Sequence, residues 1–166
     1  LNSLSTFACE LADTAGQVIL PYFRRPLSID NKQTAGGFDP VTEADKRAEE
    51  AIRALIRKRY PEHGVLGEEY GFEPGSSGLT WVIDPIDGTR AFMCGMAQWG
   101  TLIALNDGTR PLIGVLDQPY TGERWHGAGG ASHFMRSGGP RQSLQSRRAV
   151  PLAQATLSTT SPVGYF

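Results

Sequence analysis

Apolar residues recur every three or four positions near the start of the chain, which is the spacing of one face of an amphipathic helix. The pattern covers residues 4–23, and Pro26 follows it, as is common after a helix. The apolar positions are Leu4, Phe7, Ala8, Leu11, Ala15, Val18, Ile19 and Tyr22. We therefore predict a first helix over residues 4–23.

A second amphipathic helix is predicted from Thr42 onward. Thr42 and Asp45 are spaced as in a capping box, with Asp in place of the usual Glu or Gln. Its apolar face consists of Ala44, Ala48, Ala51, Ile52, Leu55 and Ile56. Two i,i+4 pairs of opposite charge are expected on its solvent side: Glu43 with Arg47, and Glu49 with Arg53.

From residue 65 onward the pattern changes to short apolar runs separated by turn residues, which is typical of strands. Residues 65–67 form a short apolar stretch, and residues 81–83 are a candidate buried strand. Further strands are predicted over residues 99–105, 111–116 and 123–126, with turns at 106–108 and 120–122. Strands joined by such short turns predict an antiparallel meander.

The remaining segments are less regular. Residues 27–32 are a weak strand candidate, and residues 33–40 are predicted to be a loop. Residues 71–78 are rich in turn residues, residues 137–148 are predicted to be a loop, and residues 157–160 are a candidate last strand. Two helices followed by consecutive strands predict an α+β fold with the helices on one face of the sheet. The other face also needs a cover, which little of this chain is left to supply, so we expect further sequence.

Composition narrows the functional classes. The chain has 166 residues, 40% of them hydrophobic, and a formal net charge of −1, which is typical of a globular domain and gives no basic footprint for nucleic acid. No apolar run is long enough to span a bilayer. Cys9 and Cys94 are expected to be reduced core thiols. We predict a cytoplasmic protein without nucleic-acid or membrane partners.

The candidate chemistry lies in three acidic segments, over residues 39–45, 67–69 and 81–89. The last is an apolar strand that runs into Asp84 and Asp87, with Pro85 forcing a turn between them. A short helix is predicted after Gly88 and Thr89, and a helix N-terminus offers amide groups to an anion. Carboxylates for a hard cation and amides for a phosphate would then lie side by side. The alternative is a surface turn with solvated Asp side chains.

These three segments, in this order and at these separations, resemble the inositol monophosphatase superfamily of Mg²⁺-dependent, lithium-sensitive phosphatases. The resemblance implies an α/β sandwich whose first half is two helices packed on an antiparallel sheet. Residues 1–166 would then be the N-terminal α+β domain that binds metal and phosphate. The family's C-terminal α/β domain, with its Trp-Asp motif, is not found in the chain.

The resemblance also implies roles for individual residues. Glu68, Asp84, the Ile86 carbonyl and Thr89 would surround a first metal ion, and Asp84 and Asp87 would reach a second. The implied cofactor is two or three Mg²⁺ ions, with Mn²⁺ as an alternative.

Catalytic and substrate-binding roles follow from the same resemblance. Glu68 and Thr89 would orient the attacking water, and Asp45 would hold the Thr89 hydroxyl. The amides of Gly88 and Thr89 would cradle the phosphate of a substrate that also lies against Glu68, Ile86 and Asp87. Arg90 either contacts the substrate or forms a surface salt bridge.

Segments 87–92, 100–105, 114–119, 123–125 and 159–162 are similar to the histidinol-phosphate phosphatase branch of this superfamily. The similarity implies hydrolysis of L-histidinol phosphate to histidinol and phosphate, a step of histidine biosynthesis, by a homodimer. One alternative is a phosphatase for inositol 1-phosphate or another small ester. A second alternative, of another class, is a non-catalytic binding remnant that lacks the second-metal Asp.

The three histidines, His63, His126 and His133, lack metal-ligand spacing and are expected to be structural or solvated. Residues 127–132 faintly resemble a dinucleotide-binding loop but follow a meander strand, so we interpret them as a hairpin loop.

Overall fold

A computed structural model describes residues 1–26, 29–31 and 40–158 of the chain. Within these residues there are three α-helices and ten strands. The helices are α1 (Asn2–Ile19), α2 (Glu43–Arg59) and α3 (Thr89–Met93). The strands are β1 (Ile29–Asn31), β2 (Pro40–Thr42), β3 (Gly64–Gly67), β4 (Gly71–Glu73), β5 (Thr80–Asp87), β6 (Gly100–Asn106), β7 (Pro111–Gln118), β8 (Glu123–Ala128), β9 (Ala131–Arg136) and β10 (Gln142–Leu144).

Both predicted amphipathic helices are present. The first ends as an α-helix at Ile19 and continues as a single 3₁₀ turn over Leu20–Tyr22, because Pro21 has no amide hydrogen to extend the α-helical ladder. The second is started by the predicted capping box. The Ala44 amide donates to Thr42 Oγ1 at 3.2 Å, and the Thr42 amide donates to Asp45 Oδ2 at 2.9 Å.

Eight strands form one sheet in the order β10-β9-β8-β7-β6-β5-β3-β4. All neighbours in this sheet are antiparallel except β3 and β5, which run parallel. The predicted antiparallel meander is thus confirmed for β6, β7 and β8. Of the predicted hairpin loop at 127–132, only residues 129–130 form the turn, and the others belong to β8 and β9. The strands β1 and β2 pair separately.

Two short strands lie where only turns or a loop were predicted. Residues 71–73 form β4, and residues 142–144 form β10 at the edge of the sheet. All three residues of β10 are exposed, so the strand has no alternation of apolar and polar residues that the sequence could reveal. It is held by main-chain pairing with β9, which is a non-local contact.

Three predictions fall wholly or partly outside the described residues. The weak strand at 27–32 is confirmed only for Ile29–Asn31, and the loop at 33–40 lies outside the described residues except for Pro40, which belongs to β2. Leu157 and Ser158 are not part of a strand, and the rest of the predicted strand at 157–160 is not described. Residues 159–162, one of the segments similar to the histidinol-phosphate phosphatase branch, also lie outside the described residues.

The helices cover one face of the sheet, as predicted. Alternate side chains of the central strands point toward α1 and α2 and are buried: Trp81, Ile83, Ile103, Leu105, Ile113 and Val115. On the opposite face, Leu66 and Val82 lie side by side in register, and Leu116 lies on the same face. These three apolar side chains are between 37% and 41% exposed.

One end of the helix layer contains an aromatic cluster built around His63. The His63 ring is buried, stacks on Tyr60, and accepts a hydrogen bond from Trp81 Nε1 at Nδ1, at 3.1 Å. Burial lowers the pKa of His63, and the nearby Glu62 carboxylate opposes that shift. The prediction of a structural role for this histidine is confirmed by its position.

This geometry predicts a pH-dependent stability. Protonation would remove the acceptor that Trp81 needs and bury a charge, so the unfolded chain takes up the proton more readily than the folded one. The contribution of His63 to the free energy of unfolding should therefore fall as the pH drops below about 6.5, the ordinary pKa of histidine. Urea unfolding of the unmodified protein and of His63→Gln at pH 7.5 and pH 5.5 measures this contribution as the difference between the two. His63→Gln should remove it, at a cost of about 1 kcal/mol for the lost hydrogen bond.

The matched control is His133→Gln, since His133 is a half-buried histidine on β9, away from this cluster. It should keep the pH dependence of the unmodified protein. An unfolding free energy in His63→Gln that depends on pH as steeply as in the control would contradict the assignment.

Candidate active site

The parallel pairing of β3 and β5 brings two of the predicted acidic segments together. Gly67, the last residue of β3, is in register with Ile83 of β5. The next residues are Glu68, which directly follows β3, and Asp84 within β5, so both lie where the parallel pairing of the two strands ends. The two carboxyl groups share a hydrogen bond, which requires a proton on one of them.

The end of β5 places Asp84 and Asp87 on either side of an irregularity in the sheet. The pairing with β6 shifts register between these two residues. The Thr101 hydroxyl, itself buried, donates to the Pro85 carbonyl at 2.8 Å and fixes the bulged segment against β6. The turn that Pro85 was predicted to impose is thus a bulge within a strand.

The electrostatics of this cluster centre on Asp84. Burial raises the pKa of the Asp84 carboxyl to about 8, and the charges of Glu68, Asp87 and Asp45 push it in the same direction. Asp84 Oδ1 is buried and has no hydrogen-bond partner in the part of the chain that the structure describes. A buried carboxylate oxygen without a partner is costly unless something positive binds to it.

The donor atoms of this cluster suit a metal ion, although its side chains are not grouped around one. Among residues 1–26, 29–31 and 40–158, no three His, Cys, Asp or Glu side chains are already grouped to hold one. The donor chemistry does fit a hard divalent cation, because the cluster offers only oxygen atoms and one of them, Asp84 Oδ1, is unpartnered. Binding would require the proton in the hydrogen bond between Glu68 and Asp84 to leave.

The segment after Asp87 forms a tight turn into a short helix, as predicted. Gly88 has a φ of 88°, and a Cβ atom there would lie 2.7 Å from the Gln98 carbonyl oxygen. Only glycine therefore fits this position. Helix α3 follows from Thr89 to Met93, and the Phe92 amide closes its first turn onto the Gly88 carbonyl at 3.0 Å.

Thr89 and Asp45 have hydrogen-bond partners other than each other. The Thr89 hydroxyl donates to the Ile86 carbonyl at 3.0 Å. Asp45 is buried, and its Oδ2 accepts from both the amide and the hydroxyl of Thr42. Burial raises the pKa of Asp45, and its hydrogen bonds with Thr42 oppose that shift. The expected contact from Asp45 to the Thr89 hydroxyl is not made here, because the hydroxyl has one hydrogen and donates it to Ile86.

The pair Glu49 and Arg53 corrects the expectation that it would lie on the solvent side of α2. Both side chains are buried, at 0% and 4% exposed, and Arg53 Nε donates to Glu49 Oε1 at 2.8 Å. The other pair, Glu43 with Arg47, is exposed as expected. A signal was available in the sequence, since Glu49 lies four residues after buried Asp45 and three before Ile52, the spacing of the inner face.

A cleft of about 1220 Å³ adjoins the acidic cluster. Asp87, Thr89 and Arg90 line one part of it, and Trp99, Glu123 and Trp125 line another. Trp99 is buried, and its Nε1 has no hydrogen-bond partner within the described residues. Arg90 is exposed at the edge of this cleft.

The other candidate residues have structural surroundings. Cys9 and Cys94 are free thiols, but Cys94 is exposed rather than in the core. His126 is paired with Ser5 Oγ at 2.8 Å, between β8 and α1. No helix in the described residues is long and apolar enough to cross a membrane.

Comparison with known proteins gives a consistent picture. The model of the inositol monophosphatase family matches residues 1–164. The bifunctional phosphatase IMPL2 of Arabidopsis thaliana is 41% identical over 164 residues, which is 98% of this chain and 45% of that protein. The histidinol-phosphatase of Chlorobaculum parvum is 43% identical over 136 residues, covering 81% of this chain and 51% of that protein.

Among solved structures, an inositol monophosphatase from Zymomonas mobilis superposes with a TM-score of 0.65 at 44% sequence identity. The match covers 80% of this chain and 50% of that one. The chain therefore spans about half the length of the curated relatives it matches. The predicted fold, two helices on a mostly antiparallel sheet, is confirmed by this likeness.

Proposed function

The chain belongs to the inositol monophosphatase family, and from that membership we propose that the protein carrying it is a metal-dependent phosphomonoesterase. The observation that carries the proposal is the buried Oδ1 of Asp84, which has no partner among the described residues. Its carboxyl group hydrogen-bonds Glu68 where the parallel pairing of β3 and β5 ends. Side chains with this much negative charge in one place are suited to divalent cations. The proposed ions are two or three Mg²⁺, with Mn²⁺ as an alternative.

We assign the cation ligands by the predicted roles. Glu68, Asp84, the Ile86 carbonyl and Thr89 would hold a first ion, and Asp84 and Asp87 a second. When bound, divalent ions neutralise the charge of a phosphate ester and lower the pKa of a water molecule.

Thr89 can orient the attacking water with its oxygen. Because its hydroxyl hydrogen is donated to the Ile86 carbonyl, the lone pairs of Thr89 Oγ1 are left to accept a hydrogen bond from water. Glu68 would accept another from the same water. Asp45 holds Thr42 at the start of α2 and adds negative charge near Asp84, so its proposed part in catalysis is indirect.

The phosphate would lie at the turn between β5 and α3. Gly88 lets the main chain approach closely there, and its amide and that of Thr89 are the proposed donors to the phosphate oxygens. Arg90, exposed at the edge of the cleft, is the proposed cationic contact. No Ser or Cys nucleophile is needed, because the phosphoryl group can transfer directly to water.

We propose L-histidinol phosphate as the substrate, which places the protein in histidine biosynthesis. Support comes from the 43% identity with a histidinol-phosphatase and from the cleft, where Glu123 and Trp125 suit a leaving group with an ammonium and an aromatic ring. Inositol 1-phosphate is the second candidate, favoured by the 44% identity with an inositol monophosphatase structure. The homodimer and the cytoplasmic location stay predictions.

A substrate panel tests this proposal on the full-length protein. With Mg²⁺ present, we expect phosphate release from histidinol phosphate with kcat/KM at least about tenfold above that for inositol 1-phosphate, since one well-placed polar contact is worth about 1.4 kcal/mol or more. Chelation by EDTA should abolish release, and added Mg²⁺ should restore it. Equal kcat/KM values would withdraw the substrate assignment. No release from any small ester, with Mg²⁺ or Mn²⁺, would favour the non-catalytic alternative.

A further inference from the structure

The turn that carries Glu68 rests on a buried carboxylate of α2. Glu49 Oε2 accepts from the Glu69 amide at 2.8 Å, and Glu49 Oε1 accepts from the Tyr70 amide at 3.2 Å. These are the two residues that follow Glu68 along the chain. Glu49 is completely buried, although glutamate is among the residues that are almost never buried unless paired. Its carboxylate thus replaces water as the partner of the turn's main chain.

The charge of Glu49 is balanced by Arg53, which holds the far side of the same turn. Arg53 Nε donates to Glu49 Oε1 at 2.8 Å, and its Nη2 donates to the Gly71 carbonyl at 2.5 Å. The two side chains together therefore fix the main chain from Glu69 to Gly71. Charge-assisted hydrogen bonds of this kind are about twice as strong as neutral ones.

Gly67 shows how closely the main chain approaches this carboxylate. A Cβ atom at Gly67 would lie 1.9 Å from Glu49 Oε1, so no side chain can stand there while Glu49 keeps its place. The Glu49 carboxylate therefore lies against the main chain immediately before Glu68 and accepts hydrogen bonds from it immediately after. The side chain of Glu68 is exposed, and its direction depends on this main-chain support.

We propose that Glu49 is a positioning residue, which holds the Gly67–Tyr70 main chain so that the Glu68 carboxylate faces Asp84. The inference rests on the proposed function, because it takes Glu68 to be a cation ligand. A leucine or methionine at residue 49 would fill the same space, but it could not accept the two amides. The partners that orient a metal ligand typically contribute 10- to 100-fold to metal affinity.

The test is the affinity of the metal-free full-length protein for Mn²⁺, measured by electron paramagnetic resonance at fixed pH. Glu49→Gln should weaken Mn²⁺ binding by about 10-fold or more. Glu50→Gln is the matched control, since it makes the same change one residue along α2. Within the described part of the chain, its exposed carboxylate accepts from the Tyr70 hydroxyl and from no amide of the turn. Its Mn²⁺ affinity should equal that of the unmodified protein. Urea unfolding of each variant shows whether the variant is folded under the conditions of the binding measurement.

A third variant, Glu68→Gln, distinguishes a failure of the positioning role of Glu49 from a failure of the proposed metal role of Glu68. If Glu49 acts through Glu68, then Glu49→Gln should cause no further loss of Mn²⁺ affinity in the Glu68→Gln background. Additive losses, or an affinity in Glu49→Gln within twofold of the unmodified protein, would overturn the positioning role. An unchanged affinity in Glu68→Gln itself would instead overturn the proposed metal role of Glu68.

If Glu49→Gln does not fold, the same measurements on Glu49→Asp decide the question. Aspartate keeps the negative charge beside Arg53 but is one methylene shorter, so it cannot reach the two amides from the same main-chain position. It should fold and still bind Mn²⁺ about 10-fold more weakly. Binding at full affinity by Glu49→Asp would count against the positioning role.

Discussion

Replacing Asp84 by asparagine is expected to lower phosphate release by the full-length protein by about 10³-fold. The reason is that Asp84 is the proposed ligand of both cations, and their stabilisation of the reacting phosphate is worth several kcal/mol, of which each 1.36 kcal/mol is tenfold in rate. Asparagine has nearly the same size as aspartate and keeps one oxygen atom that can bind a cation. The loss therefore reports the charge of the buried carboxylate rather than its volume. The measurement is kcat/KM for the best ester of the substrate panel.

The same substitution should stabilise the metal-free protein. The pKa of Asp84 is raised from 3.8 to about 8, so this carboxyl favours folding at low pH, and that contribution is lost as the pH rises toward 8. Asp84→Asn should remove this decline in the free energy of unfolding between pH 4 and pH 8. A gain in metal-free stability together with lost activity is typical of a site strained for function.

Asp107→Asn is a suitable control. Asp107 is an exposed turn residue whose carboxylate accepts hydrogen bonds from Thr109 and Arg110. It follows Asn106, which pairs with Thr80 at the start of β5, whereas Asp84 pairs with Leu102 further along that strand. It should leave kcat/KM unchanged. Activity in Asp84→Asn within tenfold of the unmodified protein would contradict the assignment of Asp84 as a cation ligand.

Much of the architecture could be predicted from the chain because its signals are local. Helix α2 follows from apolar spacing and from a capping box formed by two residues three positions apart, Thr42 and Asp45. The meander from β6 to β8 follows from apolar runs joined by short turns. Strand β10 could not be predicted, since its three exposed residues carry no pattern and its partner β9 provides the pairing.

The resemblance implied both the residues of the candidate site and that Glu68 and Asp84 lie around one ion. The spacing of the acidic segments alone could not show that Glu68 and Asp84 meet, because that depends on the parallel pairing of β3 with β5. The buried pair of Glu49 and Arg53 was interpreted as a surface ion pair, since i,i+4 spacing is the same on either face of a helix. The spacing from Asp45 and Ile52 places Glu49 on the inner face of α2, and the turn after β3 supplies the amides that its carboxylate accepts.

Replacing Arg53 by methionine is expected to lower the free energy of unfolding by about 3–5 kcal/mol. Methionine fills much the same volume, but it leaves the carboxylate of Glu49 buried and without its balancing charge, and breaking a buried ion pair in this way typically costs that amount. The Gly71 carbonyl also loses its donor. Urea unfolding of the full-length protein, followed by tryptophan fluorescence, measures the loss.

Arg57→Met is the matched control for this loss. Arg57 lies one turn further along α2 and pairs with Glu73, but its side chain is 57% exposed, and exposed ion pairs contribute at most about 1 kcal/mol.

Combining Glu49→Gln with Arg53→Met should recover part of the stability lost in Arg53→Met, because the buried charge is then removed along with its partner. A double variant less stable than Arg53→Met alone would show that the burial of the Glu49 charge is not what makes the arginine necessary. In that case the main contribution of Arg53 would be its hydrogen bond to Gly71.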